Sequence, residues 1–146
     1  QSAYIEVDTL LSGLKVSGKS SFFNALRSME WKTGRGVSVV ITDGLMQDGL
    51  EEGLKYLKYK NQDVFLCIIL SPDEMSPAIS GALELADSET GERIEVTVSD
   101  VLLKKYDEAL NQHLSKIQEQ CRKLGIHHSV LTSDMPVDLM LKTIIT

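Results

Sequence analysis

Two stretches of the chain are apolar with no polar alternation. Val37-Ser-Val-Val-Ile-Thr42 is β-branched at five of its six positions, and Val64-Phe-Leu-Cys-Ile-Ile-Leu70 is apolar throughout. Runs of this kind predict strands buried on both faces, as in a parallel sheet with helices on each side. Between them Leu50, Leu54 and Leu57 fall on one helical stripe, with Lys55, Lys58 and Lys60 turned to water. Asp48 is placed to cap that helix. Strand, helix and strand in this order predict a right-handed βαβ unit.

The flanking pattern completes an α/β outline. Residues 3–7 start a short strand or lead into a helix, and Asp8 caps a helix over Thr9–Leu14. Ser17 or Ser20 starts a helix whose apolar side is Phe22, Phe23, Leu26 and Met29. Pro72 and Pro77 keep the segment after the second strand irregular, with room for one helical turn. Residues 82–86 and 92–98 alternate around a turn at 87–91, which predicts a hairpin with Leu83, Leu85, Ile94, Val96 and Val98 inward. Ser99 or Asp100 caps a long helix over 100–124, with Leu103, Tyr106, Leu110, His113 or Leu114, Ile117, Cys121 and Leu124 on its inner face and Gly125 ending it. A third strand at 126–131 and a closing helix at 135–145, begun near Pro136, finish the chain. The expected fold is a three-layer α/β domain: a partial doubly wound, Rossmann-like parallel sheet with strands near 37–43, 64–70 and 126–131 and an inserted β-hairpin near 82–97.

Composition narrows the function classes. A chain of 146 residues suits one domain. Fifteen basic against twenty-one acidic residues give a net charge of −6, which argues against a nucleic-acid surface. No apolar stretch is long enough to span a bilayer. Residues 1–15 carry Glu6 and Asp8 and lack the apolar core of a signal peptide. A cytoplasmic setting is therefore expected, with Cys67 and Cys121 as reduced, semi-buried thiols; a disulfide between them is the alternative.

The candidate chemistry is sparse. Asp43-Gly44 ends the first strand, and in open α/β sheets ligands gather where strands end at their carboxyl side. Asp43 either caps the helix that follows or serves a metal or partner. Gly13-Leu-Lys-Val-Ser-Gly-Lys-Ser20 fits a phosphate-binding loop letter for letter, with Lys19 on the β/γ-phosphates and Ser20 on Mg²⁺. That loop must leave a buried strand, whereas Asp8–Ser12 reads as helix at least as well, and no guanine-reading Asn-Lys-x-Asp is present. Nucleotide binding is thus the alternative function. His127 and His128 would point to opposite faces of a strand and cannot chelate one metal together. Cys121 lies two turns beyond His113, about 12 Å away, too far for a nucleophile–base pair. Asp73/Glu74 and Asp87/Glu89/Glu92 read as solvated turns. Trp31 and Tyr4 are either partner anchors or buried packing. No catalytic constellation emerges, so a non-enzymatic role is expected.

Ser71-Pro72-x-Glu74-x-x-Pro77-x-x-x-Gly81, then Leu85-x-Asp87-x-Glu89-Thr90-Gly91-Glu92, resembles the bacterial domain of unknown function 58 family. The likeness continues through Tyr106, His113, Cys121, Gly125-Ile126, Thr132 and Pro136, and runs from about Gly18 to the C-terminus. That family resembles the von Willebrand factor A domain, whose metal-ion-dependent adhesion site uses an Asp-x-Ser-x-Ser loop, a Thr or Ser in a second loop and an Asp after a later strand. By that resemblance Asp43 matches the last position and Ser20 the second loop, giving an incomplete metal site. No Asp-x-Ser-x-Ser occurs in the chain, and one carboxylate with one hydroxyl is too few for octahedral Mg²⁺. The resemblance implies the C-terminal portion of a von Willebrand factor A-like domain, Mg²⁺ held only by a longer protein, and a protein-interaction role beside a MoxR-type AAA ATPase. With the preceding strands missing, strand 37–43 has a bare edge, and self-association, a homodimer, is expected through it.

Overall fold

The two apolar runs pair with each other. In the computed structural model, which describes residues 2–14, 21–31, 34–45, 49–86 and 93–145, β1 (Gly36–Thr42) and β2 (Gln62–Leu70) run parallel from Gly36↔Gln62 to Thr42↔Ile68. They are joined by α3 (Leu50–Tyr59). β5 (His127–Thr132) joins the far side of β2, also parallel, from Phe65↔His127 to Leu70↔Thr132. The sheet order is β1-β2-β5. Both crossovers step the same way across the sheet. Right-handed connection then puts α3 and α5 (Asp100–Leu124) on one face.

That face is the core. Val40 of β1 and Val64, Leu66, Ile68 and Leu70 of β2 meet Leu50, Leu54 and Leu57 of α3 and Ile117 and Cys121 of α5. Leu26 of α2 (Phe22–Ser28) joins them. The α2–α3 approach is close because residue 53 is Gly: a Cβ there would overlap the Phe22 ring. On the other face Cys67 and Leu131 are buried, and α6 (Val137–Ile145) packs against β5.

The sequence expectation of a β1 buried on both faces is corrected here. Val37, Val39 and Ile41 are 67%, 54% and 67% exposed, and burial alternates along the strand. β1 is the edge of the described sheet, and no described helix covers the outward side of these three residues. A continuous apolar run is thus buried on both faces only where both helical layers are present. The described residues make an α/β fold with a parallel three-stranded sheet and flanking helices, and the strand order reverses nowhere among them.

Other boundaries shift for local reasons. Residues 3–7 are helical, inside α1 (Ser2–Gly13). The cap of α2 is Ser21, whose Oγ accepts from Asn24 N at 3.5 Å, in place of Ser17 or Ser20, which lie outside the described residues. Gly49, at φ 90°, precedes α3; Asp48 lies outside the described residues. α4 (Pro72–Met75) is the single turn between the prolines, and Ser71 and Glu74 form a capping box there. β3 (Gly81–Ala86) and β4 (Arg93–Val98) make a separate antiparallel hairpin. Of its expected inward residues Val98 is buried, Leu83 and Val96 are half-buried and Ile94 is exposed. The Leu85 side chain and the turn at 87–91 lie outside the described residues. Among the described residues no helix is long and apolar enough to cross a membrane.

Candidate functional site

At the carboxyl end of the sheet several polar groups are held in fixed places. β1 ends in Thr42-Asp43-Gly44-Leu45. Thr42 Oγ1 accepts from Gly44 N at 3.0 Å, and Asp43 Oδ1 accepts from Leu45 N at 3.0 Å. Thr42 Oγ1 also donates to Asp43 Oδ1 at 3.4 Å. Side chains that bond the backbone two residues on close a tight turn. Asp43 is therefore not the cap of α3, which begins beyond Gly49; it shapes its own turn and keeps an exposed carboxylate.

Gly44 fixes that turn against the core. Its φ is 74°, a region costly to residues with a Cβ. A Cβ would also meet Ile68 Cγ2 at 3.3 Å and Ile117 Cδ1 at 3.5 Å. The Gly44 carbonyl accepts a hydrogen bond from His113 Nε2 at 2.7 Å, so that nitrogen carries the ring proton. His113 thereby acts as a strut between α5 and the β1 turn.

The loop after β2 is held by the same helix. Tyr106 of α5 donates its hydroxyl to the Glu74 carbonyl at 2.6 Å. Ser71 N donates to Glu74 Oε2 at 2.6 Å, and Glu74 N donates to Ser71 Oγ at 3.1 Å. Tyr106 and His113 are seven residues apart, two turns on one helical face, about 10.5 Å along the axis. One face of α5 therefore ties down both the β1 and the β2 carboxyl-end loops. Burial, with lesser help from Glu74 and Asp107, raises the Tyr106 phenol above its ordinary range.

The remaining sequence candidates separate. Lys19 and Ser20 lie outside the described residues, and Gly13 closes a helix, not a strand. Phe65 stacks on His127 at 5.0 Å, on the face opposite His128. Cys67 and Cys121 are free thiols. The sheet separates them, since Cys121 belongs to the helix-covered core and Cys67 to the other face. Burial pushes the Cys121 thiol up to about 11 and raises Cys67 as well, which makes both poor nucleophiles. Trp31 is half-buried, donating Nε1–H to the Leu26 carbonyl at 2.9 Å with its ring edge-on to Tyr56. The Tyr4 side chain lies outside the described residues.

Among the described residues no group of three or more His, Cys, Asp or Glu is arranged to hold a metal. Asp43 alone stands at the carboxyl end of β1, far short of an octahedral oxygen shell. The sequence could not show Tyr106 and His113 as loop struts, because their backbone partners lie 32 and 69 residues away. The Ser71-x-x-Glu74 capping box, by contrast, was visible as a spacing.

Residues 16–116 match the family model described as Protein of unknown function DUF58. The matched span takes in Asp43, Glu74, Tyr106 and His113 and stops before Cys121. No curated protein and no solved structure matches the chain significantly. By its family match the chain belongs to the DUF58 family of proteins of unknown function.

Proposed function

We propose that this chain is a non-enzymatic protein-interaction module of the von Willebrand factor A type, acting with a MoxR-type AAA ATPase. One observation carries the reading. A parallel sheet presents an exposed carboxylate, Asp43, at the carboxyl end of its edge strand, on a turn locked by Gly44 and His113. Ligands of open α/β sheets gather at this end. In this reading Asp43 is the carboxylate, and Ser20 the hydroxyl, that the chain gives to a Mg²⁺-bridged contact, with the other ligands coming from elsewhere. The arrangement of described groups also supports a binding role over catalysis. Both thiols are buried and their pKa values raised, which weakens them as nucleophiles.

The alternative is a nucleotide-binding segment using Lys19 and Ser20. A phosphate loop leaves a strand directly, whereas α1 runs to Gly13 as a helix. Melting temperature followed during titration with GTP, ATP and Mg²⁺ separates the two. The interaction reading expects no nucleotide-dependent rise. A rise of several degrees that is lost in Lys19→Ala would replace it with the nucleotide reading. Sedimentation of the chain mixed with a MoxR-type ATPase, with and without Mg²⁺, tests the partner. Co-sedimentation weakened by Asp43→Ala is expected, and no co-sedimentation contradicts the proposal.

A further inference from the structure

The outward side of β1 is apolar and its far edge has no described neighbour. An edge strand offers unpaired N–H and C=O groups to any strand that reaches it. Along this edge runs an open groove of about 490 Å³, bordered by Phe22 and Leu26 of α2, by Met29 and Trp31 after it, and by β1 itself.

We propose that a second copy of this chain pairs antiparallel with β1, about a two-fold axis through Val39. The sequence of the strand is self-complementary about that residue. Opposed residues in an antiparallel pair lie on the same face. With the axis at Val39, Val37 faces Ile41 of the copy, and Val39 faces Val39. All three are the exposed apolar residues of β1, so each meets an apolar partner. One step beyond the strand ends, Arg35 falls opposite Asp43 of the copy, twice, once on each side of the axis. Both side chains are exposed. Arg35 already bonds Asp63 Oδ2 through Nε at 3.1 Å and Nη2 at 2.9 Å, and its Nη1 is left to meet the copy's carboxylate. A closed two-fold contact of this kind uses up the edge and adds no further copies. The two three-stranded sheets become one of six strands.

This pairing does not depend on a metal or an ATPase partner. Val39→Lys removes it and leaves the Asp43 carboxylate in place, so its failure is separable from failure of the interaction reading above.

The test is the oligomeric state of the full chain by sedimentation over a wide concentration range, with circular dichroism to confirm folding. Wild type is expected to dimerise and Val39→Lys, which sets like charges face to face, to be monomeric. Arg35→Asp and Asp43→Arg are each expected to lose the dimer alone, and to form a one-to-one heterodimer when mixed. Under mild oxidation Val39→Cys is expected to cross-link to itself, because opposed Cα atoms at about 4.5–5.5 Å suit a disulfide. Val37→Cys is expected not to, since residue 37 of the copy is ~14 Å away. A wild-type monomer at all concentrations, a dimer unaffected by Val39→Lys, no heterodimer on mixing, or equal cross-linking at 37 and 39 would each overturn the proposal.

Discussion

Strands β1 and β2 lie side by side, run the same way and share an apolar, β-branched character, yet they live in different surroundings. On the face away from α3 and α5, Cys67 of β2 is 1% exposed, while its register partner Ile41 in β1 is 67% exposed. β2 has a strand on each side and buries Val64, Leu66, Ile68 and Leu70 under α3 and α5, with Cys67 buried on its other face. Among the described residues β1 has one strand neighbour and a helical layer on one side. Apolar content alone therefore does not decide what a strand contributes. In β2 it is spent on stability. In β1 half of it faces outward and is available for recognition.

The difference is open to measurement, beginning with its largest consequence. Leu66→Ala should cost about 2–5 kcal/mol of stability in urea, the cost of a core cavity. Val39→Ala should cost no more than about 0.5 kcal/mol in the monomer. Equal losses would mean that β1 is as buried as β2. His113→Ala comes next, because it strips the buried Gly44 carbonyl of its donor. About 1–3 kcal/mol is expected, with faster amide exchange at Gly44 and Leu45, and His127→Ala should show neither effect. Tyr106→Phe should cost less, about 0.5–1.5 kcal/mol, and loosen the β2 loop around Glu74 without disturbing the β1 loop. If the two substitutions loosened both loops equally, α5 would not be pinning them separately.

The smallest effect at neutral pH belongs to the core thiol. The folded Cys121 thiol is held up to about 11 by burial, above the ordinary thiol range of the unfolded chain. Between about pH 9 and 11 the unfolded chain has lost a proton that the native chain keeps, so stability falls as pH rises through that window. Below about pH 8 both states are protonated and the contribution vanishes. Cys67 shifts in the same direction. Urea midpoints measured against pH should decline less steeply in Cys121→Ala than in wild type, and identical slopes would refute the assignment.

These contrasts also explain what could be read before the fold was in hand. The leucine stripe of α3, the βαβ unit, the long helix with Ser99 at its start and Gly125 at its end, and the hairpin all follow from short-range rules of period and capping. The environment of β1 does not, because the residues that cover or expose a strand lie elsewhere in the chain. Val37, Val39 and Ile41 carry the same side chains whether or not a helix sits above them. The site was half legible. Asp43 was marked by its place after a β-branched run. Its turn with Leu45, the need for Gly at 44 and the struts from Tyr106 and His113 depend on contacts between distant segments. The expectation that Asp48 would cap α3 falls on residues outside the described set. The alternative in which Asp43 caps that helix failed because Gly49 sits at its start.

Hydrogen exchange of the β1 and β2 amides, followed as the concentration of the chain is raised, tests the central claim most directly. β2 amides should be slow at every concentration. The outward-facing amides of β1 should exchange quickly in dilute solution and slow as copies pair. If β1 were as protected as β2 in dilute solution, or stayed fast at the highest concentration, β1 would not be an open edge awaiting a second copy.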